Sequence, residues 1–421
     1  MAVNETLAIR GGPPVRRRPF PTIDDSSGRE IGDEELSLVA EVIRSGKLNR
    51  GVGEKVAQLE REFAEYMGAK HCTAVTSGTA ALHTAIGAIN PDPGDEIITG
   101  PITDIGGIFA ILMANAVPVF ADIDPITYGM EAADLERRIT PRTKAIIPIH
   151  LMGNPCDMDP IMEVAERHGI PVIEDCAQAH NARCRGRKVG TIGHFGAFSL
   201  QQSKHMTTGD GGLLITNDDS LGERAALFAN KGWPNYGAGG RNYVAFGTNY
   251  RMTELQAAVA LAQLRKLDGI VARRVRAANT ITNAIAGLPG VYPPTQYPGC
   301  EQVYWYYPLR VVEAELGVPL RDFAKALNAE GIPAGAGYIG KPIFMYDIIR
   351  GKQVYGKSHF PWDQQAPGRE VRYEEGECPG CEQAIAEMVV LPCNECFTDE
   401  DARDIGAAVR KVALGLRASS I

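Results

Sequence analysis

A chain of 421 residues is longer than one hydrophobic core ordinarily supports, so a large domain with a smaller one is the expected organisation. Its 44% hydrophobic and 22% charged composition excludes disorder, and a net charge of −8 excludes a general affinity for nucleic acid or anionic membrane, both of which need concentrated positive charge. The opening residues, Met1 to Thr6, lack the basic segment and apolar core of a signal peptide, and the most apolar run, Gly107 to Ala121, is too short to span a bilayer, so a cytoplasmic protein is expected.

Residues 1–30, rich in Gly, Pro and Arg, read as an extended arm. Apolar spacing after an acidic first turn predicts a helix from Asp33 to Arg44, and a second from Val56 to Met67 ends at Gly68. Short apolar runs at Ala74–Thr76, Glu96–Thr99, Val117–Ala121, Ala145–Ile149 and Pro171–Glu174 then alternate with segments of helical length. This pattern predicts an α/β domain with a mainly parallel sheet flanked by helices, its catalytic residues at the carboxyl ends of the strands. Near Lys266 a long basic helix begins, followed by a strand at Tyr304–Val312, a helix at Arg321–Glu330 and a last helix at Asp399–Leu416. A large domain over 31–265 and a smaller α+β domain over 266–421 are expected.

Nine cysteines, an odd number scattered along the chain, fit reduced thiols better than a disulfide framework. The pairs Cys378-Pro-Gly-Cys381 and Cys393-Asn-Glu-Cys396 have zinc-ligand spacing within each pair. The eleven residues between them are fewer than a zinc ribbon uses and read as a helix over 382–390, so no metal site is expected.

Three motifs carry chemistry. Thr76-Ser-Gly-Thr79-Ala80 joins a strand end to a helix start, where free amides and a hydroxyl can receive a phosphate; it is also the N-cap of an ordinary helix. Val172-Ile-Glu-Asp175-Cys-Ala-Gln178 delivers a carboxylate at a strand end, where it can hold a pyridine nitrogen protonated or simply face solvent. Phe198-Ser199-Leu-Gln-Gln-Ser-Lys204 runs on through Gly209-Asp210-Gly-Gly212, a glycine-rich setting unusual for a solvated lysine and suited to bringing its amine against a planar ligand.

Together these motifs resemble the DegT/DnrJ/EryC1/StrS family of sugar and cyclitol aminotransferases, fold type I among pyridoxal-phosphate enzymes. Further matches are Pro93-Gly-Asp-Glu-Ile, Val119-Phe-Ala-Asp-Ile-Asp, His150-Leu-Met-Gly-Asn, Gly247-Thr-Asn249-Tyr-Arg-Met and Leu391-Pro-Cys-Asn-Glu. The resemblance implies that Lys204 binds pyridoxal 5′-phosphate and shuttles a proton, that Asp175 pairs with the pyridine nitrogen, and that Gln178 lies near the ring. It assigns the phosphate to Ser199, Thr79 and the Ala80 amide, with Asn249 of a neighbouring subunit completing the site, and so implies a homodimer. Glutamate or glutamine is the implied amino donor and a keto-cyclitol or keto-sugar the acceptor, in antibiotic or polysaccharide biosynthesis.

The sequence departs from the family pattern at Pro101-Ile-Thr-Asp104, where an aromatic residue usually stacks on the cofactor. Asp104 either contacts substrate from beside the cofactor or caps a helix. Asp210 replaces the more usual Glu and keeps its charge. Lys231, Arg241, Tyr338 and Lys341 are candidates to line the acceptor cleft.

Overall fold

The computed structural model describes residues 6–234, 242–365 and 370–417. The large domain is built on strands β1 (His71–Val75), β2 (Glu96–Thr99), β3 (Val117–Phe120), β4 (Thr143–Ile147), β5 (Ile173–Asp175), the two-residue β6 (Arg183–Cys184) and β7 (Arg187–Lys188), β8 (Phe195–Ser199) and β9 (Gly212–Thr216). β3, β2 and β4 form one parallel group and β5, β8, β9 and β1 a second, mixed one. Parallel bridges Ile146 to Val172 and Ile149 to Asp175 join β4 to β5, giving one sheet ordered β3-β2-β4-β5-β8-β9-β1 in which only β9 runs against its neighbours. The expected mainly parallel sheet is therefore present, and almost every strand residue in it is buried, as a sheet covered on both faces requires.

The helices are α1 (Asp33–Ser45), α2 (Lys55–Met67), α3 (Gly78–Ile89), α4 (Ile105–Met113), α5 (Ala132–Arg138), α6 (Met158–His168), α7 (Asp219–Ala229) and α8 (Glu254–Ile285). The basic helix read as starting near Lys266 is α8, which starts twelve residues earlier at a Thr253/Gln256 capping box. The expected boundary near residue 265 thus falls inside one helix. The first half of α8, through Val271, packs in the core beneath Lys204, and its last turns, from Ala277 to Ile285, pack in the core of the C-terminal part.

That part holds the antiparallel strands β10 (Val291–Tyr292), β12 (Tyr307–Val311), β13 (Gly335–Ala336) and β14 (Met388–Leu391), in the order β10-β12-β14-β13, under helices Leu320–Ala329 and Asp399–Arg417; β11 (Cys300–Glu301) pairs with β6 instead. The helix expected over 382–390 ends at Glu387. Its apolar end is β14, because the β-branched Val389 and Val390 pair with β12 and β13, and tertiary pairing overrides helical spacing.

The arm before α1 is docked: Leu7 is buried, Arg16 pairs with Asp401 and Asp404, and Glu330 accepts the Ala8 and Val15 amides. One further expectation is corrected. The cysteines are not all reduced thiols, since Cys184 and Cys300, 116 residues apart, face each other in the β6/β11 ladder and form a disulfide. The two CxxC pairs enter different cores, Cys378 and Cys381 beside Met388, and Cys393 beside Leu391.

Candidate active site

The strand ends set the site. β5 ends at Asp175, whose amide donates to the Pro148 carbonyl and whose carbonyl accepts from His150, so the residue is locked between β4 and β8. Its carboxylate is buried and accepts the Ala177 amide at 3.0 Å. Burial pushes the Asp175 pKa up, against the pull of that amide and of Lys204.

β8 ends at Ser199, and the loop that follows turns back so that Lys204 comes to lie on it with only 9% of its surface exposed. The Lys204 Nζ sits 3.6 Å from the centroid of the Trp305 ring and, among the described residues, has no hydrogen bond or ion pair. Burial brings its pKa from 10.5 to about 8, with Asp175 and Asp104 opposing the shift. A partly neutral amine at physiological pH is what a nucleophilic or proton-moving lysine requires.

The N-terminus of α3 lies against Ser199: a Cβ on Gly78 would meet the Ser199 Cβ at 2.7 Å and its Oγ at 3.0 Å. Gly212 closes the other side, where a Cβ would come within 2.1 Å of the Ser77 carbonyl oxygen. Glycine at both positions therefore lets the start of α3 pack directly on the ends of β8 and β9, and the amides of Gly78 and Thr79 are among those a helix leaves without intrahelical partners. The Ala80 amide already donates to the Ser77 hydroxyl at 3.0 Å, so an anion must share or displace that bond.

Asp104 caps α4, its Oδ1 accepting the Gly106 amide at 2.8 Å, yet its side chain is exposed and lies close enough to Lys204, Asp175 and Tyr338 to influence their titration. The capping reading of this residue holds, and its second oxygen has no hydrogen bond among the described residues. Gln178 accepts the Met152 amide at 2.7 Å and pairs with Tyr338, whose ring meets Trp305 edge to face at 6.1 Å. Tyr338 thus lies between Gln178 and Trp305. Asn249 has a different setting: it is exposed, bridges to Asn230, and among the described residues its side chain has no hydrogen bond. Lys231 is half-buried and donates its amide to Thr248, Lys341 lies 5.1 Å from the Tyr346 ring at a cavity of about 490 Å³, Asp210 is exposed, and Arg241 falls outside the described residues.

Sequence reasoning missed Trp305, which was absorbed into a strand. Tyr304 has φ of 53°, and this left-handed turn precedes β12 and frees the indole to reach Lys204, its Nε1 donating to the Ser203 carbonyl at 3.0 Å. Four successive aromatic residues before a proline were the available signal. Also missed was the buried group behind Asp175, where His150 Nε2 lies 3.1 Å from Glu174 and the Cys156 amide donates to His150 Nδ1. Glu174 also accepts the Ile192 and Gly193 amides, so the His150, Glu174 and Cys176 cluster is a hydrogen-bonded brace for the end of β5.

Architecture and site together define a fold type I pyridoxal-phosphate-dependent aminotransferase. S. venezuelae DesV, solved in complex with a ketimine intermediate, superposes with a TM-score of 0.81 at 31% identity over 95% of this chain and 99% of its own. The chain belongs to the DegT/DnrJ/EryC1/StrS aminotransferase family, which it matches over residues 29–365. The L-glutamine:2-deoxy-scyllo-inosose aminotransferase of Streptoalloteichus tenebrarius is 35% identical over 435 residues, 96% of this chain and 97% of that protein. GDP-perosamine synthase of Caulobacter vibrioides is 41% identical over 297 residues, 70% of this chain and 77% of that protein. Among the described residues no helix is long and apolar enough to cross a membrane.

Proposed function

We propose that this chain is a cytoplasmic homodimeric aminotransferase that moves an amino group from glutamate or glutamine to a keto-cyclitol or keto-sugar, with Lys204 holding pyridoxal 5′-phosphate. The observation that carries the reading is the Lys204 amine: buried, without an ion pair among the described residues, its pKa lowered to about 8, and near a buried aspartate at the carboxyl end of the sheet. When bound, the cofactor supplies an electron sink for the carbon that exchanges its proton. Lys204 Nζ then moves that proton, while Asp175, as a buried carboxylate at the end of β5, would pair with the ring nitrogen and keep it protonated.

Gln178, fixed by Met152 and Tyr338, orients the ring edge, and Ser199, Thr79 and the Ala80 amide hold the phosphate in the Gly78/Gly212 cradle. Asn249 of the neighbouring subunit reaches the same phosphate, a role supported by its exposed side chain, which has no hydrogen bond among the described residues. A cyclitol acceptor agrees with the near full-length match to the inosose enzyme, and a nucleotide-linked sugar with the match to the perosamine enzyme.

The reading is tested by borohydride reduction of the purified protein, which should fix the cofactor on Lys204 and not on Lys204→Ala. Glutamate or glutamine should then convert the bound cofactor to its amine form, and a panel of keto-inositols and nucleotide keto-sugars should return it. Adduct formation elsewhere in Lys204→Ala refutes the lysine, and failure of both donors refutes the donor assignment. Mixing Lys204→Ala with Asn249→Ala chains should restore activity that neither has alone, through hybrid dimers.

A further inference from the structure

Behind the reactive face, the backbones of Lys204 and Trp305 are tied to one carboxylate. Arg29 Nη1 donates to the Lys204 carbonyl at 2.8 Å and lies 3.3 Å from Glu395 Oε1. On the other oxygen of Glu395, Arg274 approaches with Nη2 at 2.6 Å and Nε at 2.8 Å. The remaining Arg274 nitrogen, Nη1, donates to the carbonyls of Trp305 at 3.0 Å, Tyr304 at 3.2 Å and Cys393 at 2.8 Å. None of the three side chains is more than 2% exposed. The Asn394 amide group fastens the arm beside Arg29 by donating to the Gly28 carbonyl at 3.0 Å.

Two buried guanidinium groups share one carboxylate between them. Arg274 meets Glu395 with Nε and Nη2 and its carbonyls with Nη1, Arg29 meets the Lys204 carbonyl and Glu395 through Nη1, and a buried guanidinium that loses its anion is heavily penalised. Resting on the reading of Lys204 as the reactive amine, we infer that Glu395 is the positioning residue of this active site, fixing the Lys204 amine against the Trp305 indole through Arg29 and Arg274. The four parts come from the arm, the lysine loop, α8 and the segment after β14, so the alignment depends on both lobes being in place. The charged groups facing Lys204 itself are Asp175 from β5 and Asp104 from the cap of α4, while burial keeps His180 and His205 neutral, His180 titrating at about 3.

The test uses the full-length, cofactor-free chain and acetic anhydride, with acylation of Lys204 followed against pH by peptide mass spectrometry, so that it does not depend on the cofactor. The unmodified chain should give a midpoint near 8. Glu395→Gln should release the loop to water and move the midpoint up by about one pH unit, toward the ordinary lysine value. Glu395→Asp should restore much of the original midpoint. Asp401→Asn, which breaks the equally buried pair with Arg16, is the control for lost stability and should leave the midpoint in place.

If Glu395→Gln lowers the melting temperature but titrates like the unmodified chain, the residue is structural and the inference is overturned. Should that variant fail to fold, Arg274→Lys keeps the charge but cannot meet Glu395 and the Trp305 carbonyl through separate nitrogens at once; its midpoint should also rise, and an unchanged one overturns the inference. A midpoint that responds to Glu395 in a protein to which borohydride fixes no cofactor would leave the positioning role standing and remove the proposed function.

Discussion

The Lys204 amine rests 3.6 Å from the centre of the Trp305 ring, a contact made by a loop leaving β8 and a turn entering β12. Two opposing effects meet there. The indole attracts the ammonium by about 0.5–2 kcal/mol, which favours the charged form. The same ring excludes water, and burial is the leading cause of the lowered pKa, so exclusion outweighs attraction.

Trp305→Ala should therefore raise the Lys204 pKa by about one unit, because the water it admits matters more than the lost ring. Trp305→Phe, which keeps the cover and much of the attraction, should stay near the original value. NMR titration of ¹³C-methylated lysine in the cofactor-free chain measures both; a fall in Trp305→Ala would mean that attraction dominates.

Burial of Lys204 also weakens the cofactor-free fold. Below about pH 8 the amine is protonated in native and unfolded chains alike and the full penalty is present; between about 8 and 10.5 only the unfolded chain keeps the proton, so stability rises with pH. Lys204→Met should thus be more stable than the natural chain at pH 7, by up to about 3 kcal/mol. Urea unfolding should show this advantage shrinking as the pH approaches 10.5.

Asp104 can be dissected because its two oxygens differ. Asp104→Asn keeps an acceptor for the Gly106 amide and should leave thermal stability within about 0.5 kcal/mol, whereas Asp104→Ala should lose about 1 kcal/mol with the cap. If the open oxygen binds acceptor, both variants should raise the acceptor KM about ten-fold, a loss on the scale of one hydrogen bond to a charged group, with the donor half-reaction unchanged. Higher activity in Asp104→Phe than in the natural chain would show instead that the position wants a stacking ring.

Gly78→Ala places a methyl group 2.7 Å from the Ser199 Cβ, where neither α3 nor β8 can yield. Cofactor affinity should fall at least about ten-fold as the cradle is pushed open, a cost of the size overpacking produces. Equilibrium dialysis against pyridoxal 5′-phosphate measures it, and Gly335→Ala, at a position without positive φ and with open space around its Cβ, is the control for adding a methyl group alone.

What was legible in the sequence was local. The strands at Glu96–Thr99 and Val117–Phe120, the helices α1 and α2, the small-residue corner at Ser77–Thr79 and the strand-end Asp175 each announce themselves within a few neighbours, through apolar runs, caps and glycines. Where local signals conflicted with pairing they misled, as at Val389 and Val390, whose helical spacing gave way to two strand partners.

Sequence by itself determined that the sheet is mainly parallel and singled out Lys204 and Asp175 as the candidate pair, because a lysine among glycines and a strand-end acid need no distant residue to be noticed. Only the tertiary structure decided what surrounds them: Trp305 beneath the amine, Tyr338 on Gln178, and Arg29 and Arg274 converging on Glu395. The physical reason is that burial and charge pairing are set by groups hundreds of residues apart, and no periodicity along the chain records which of them meet.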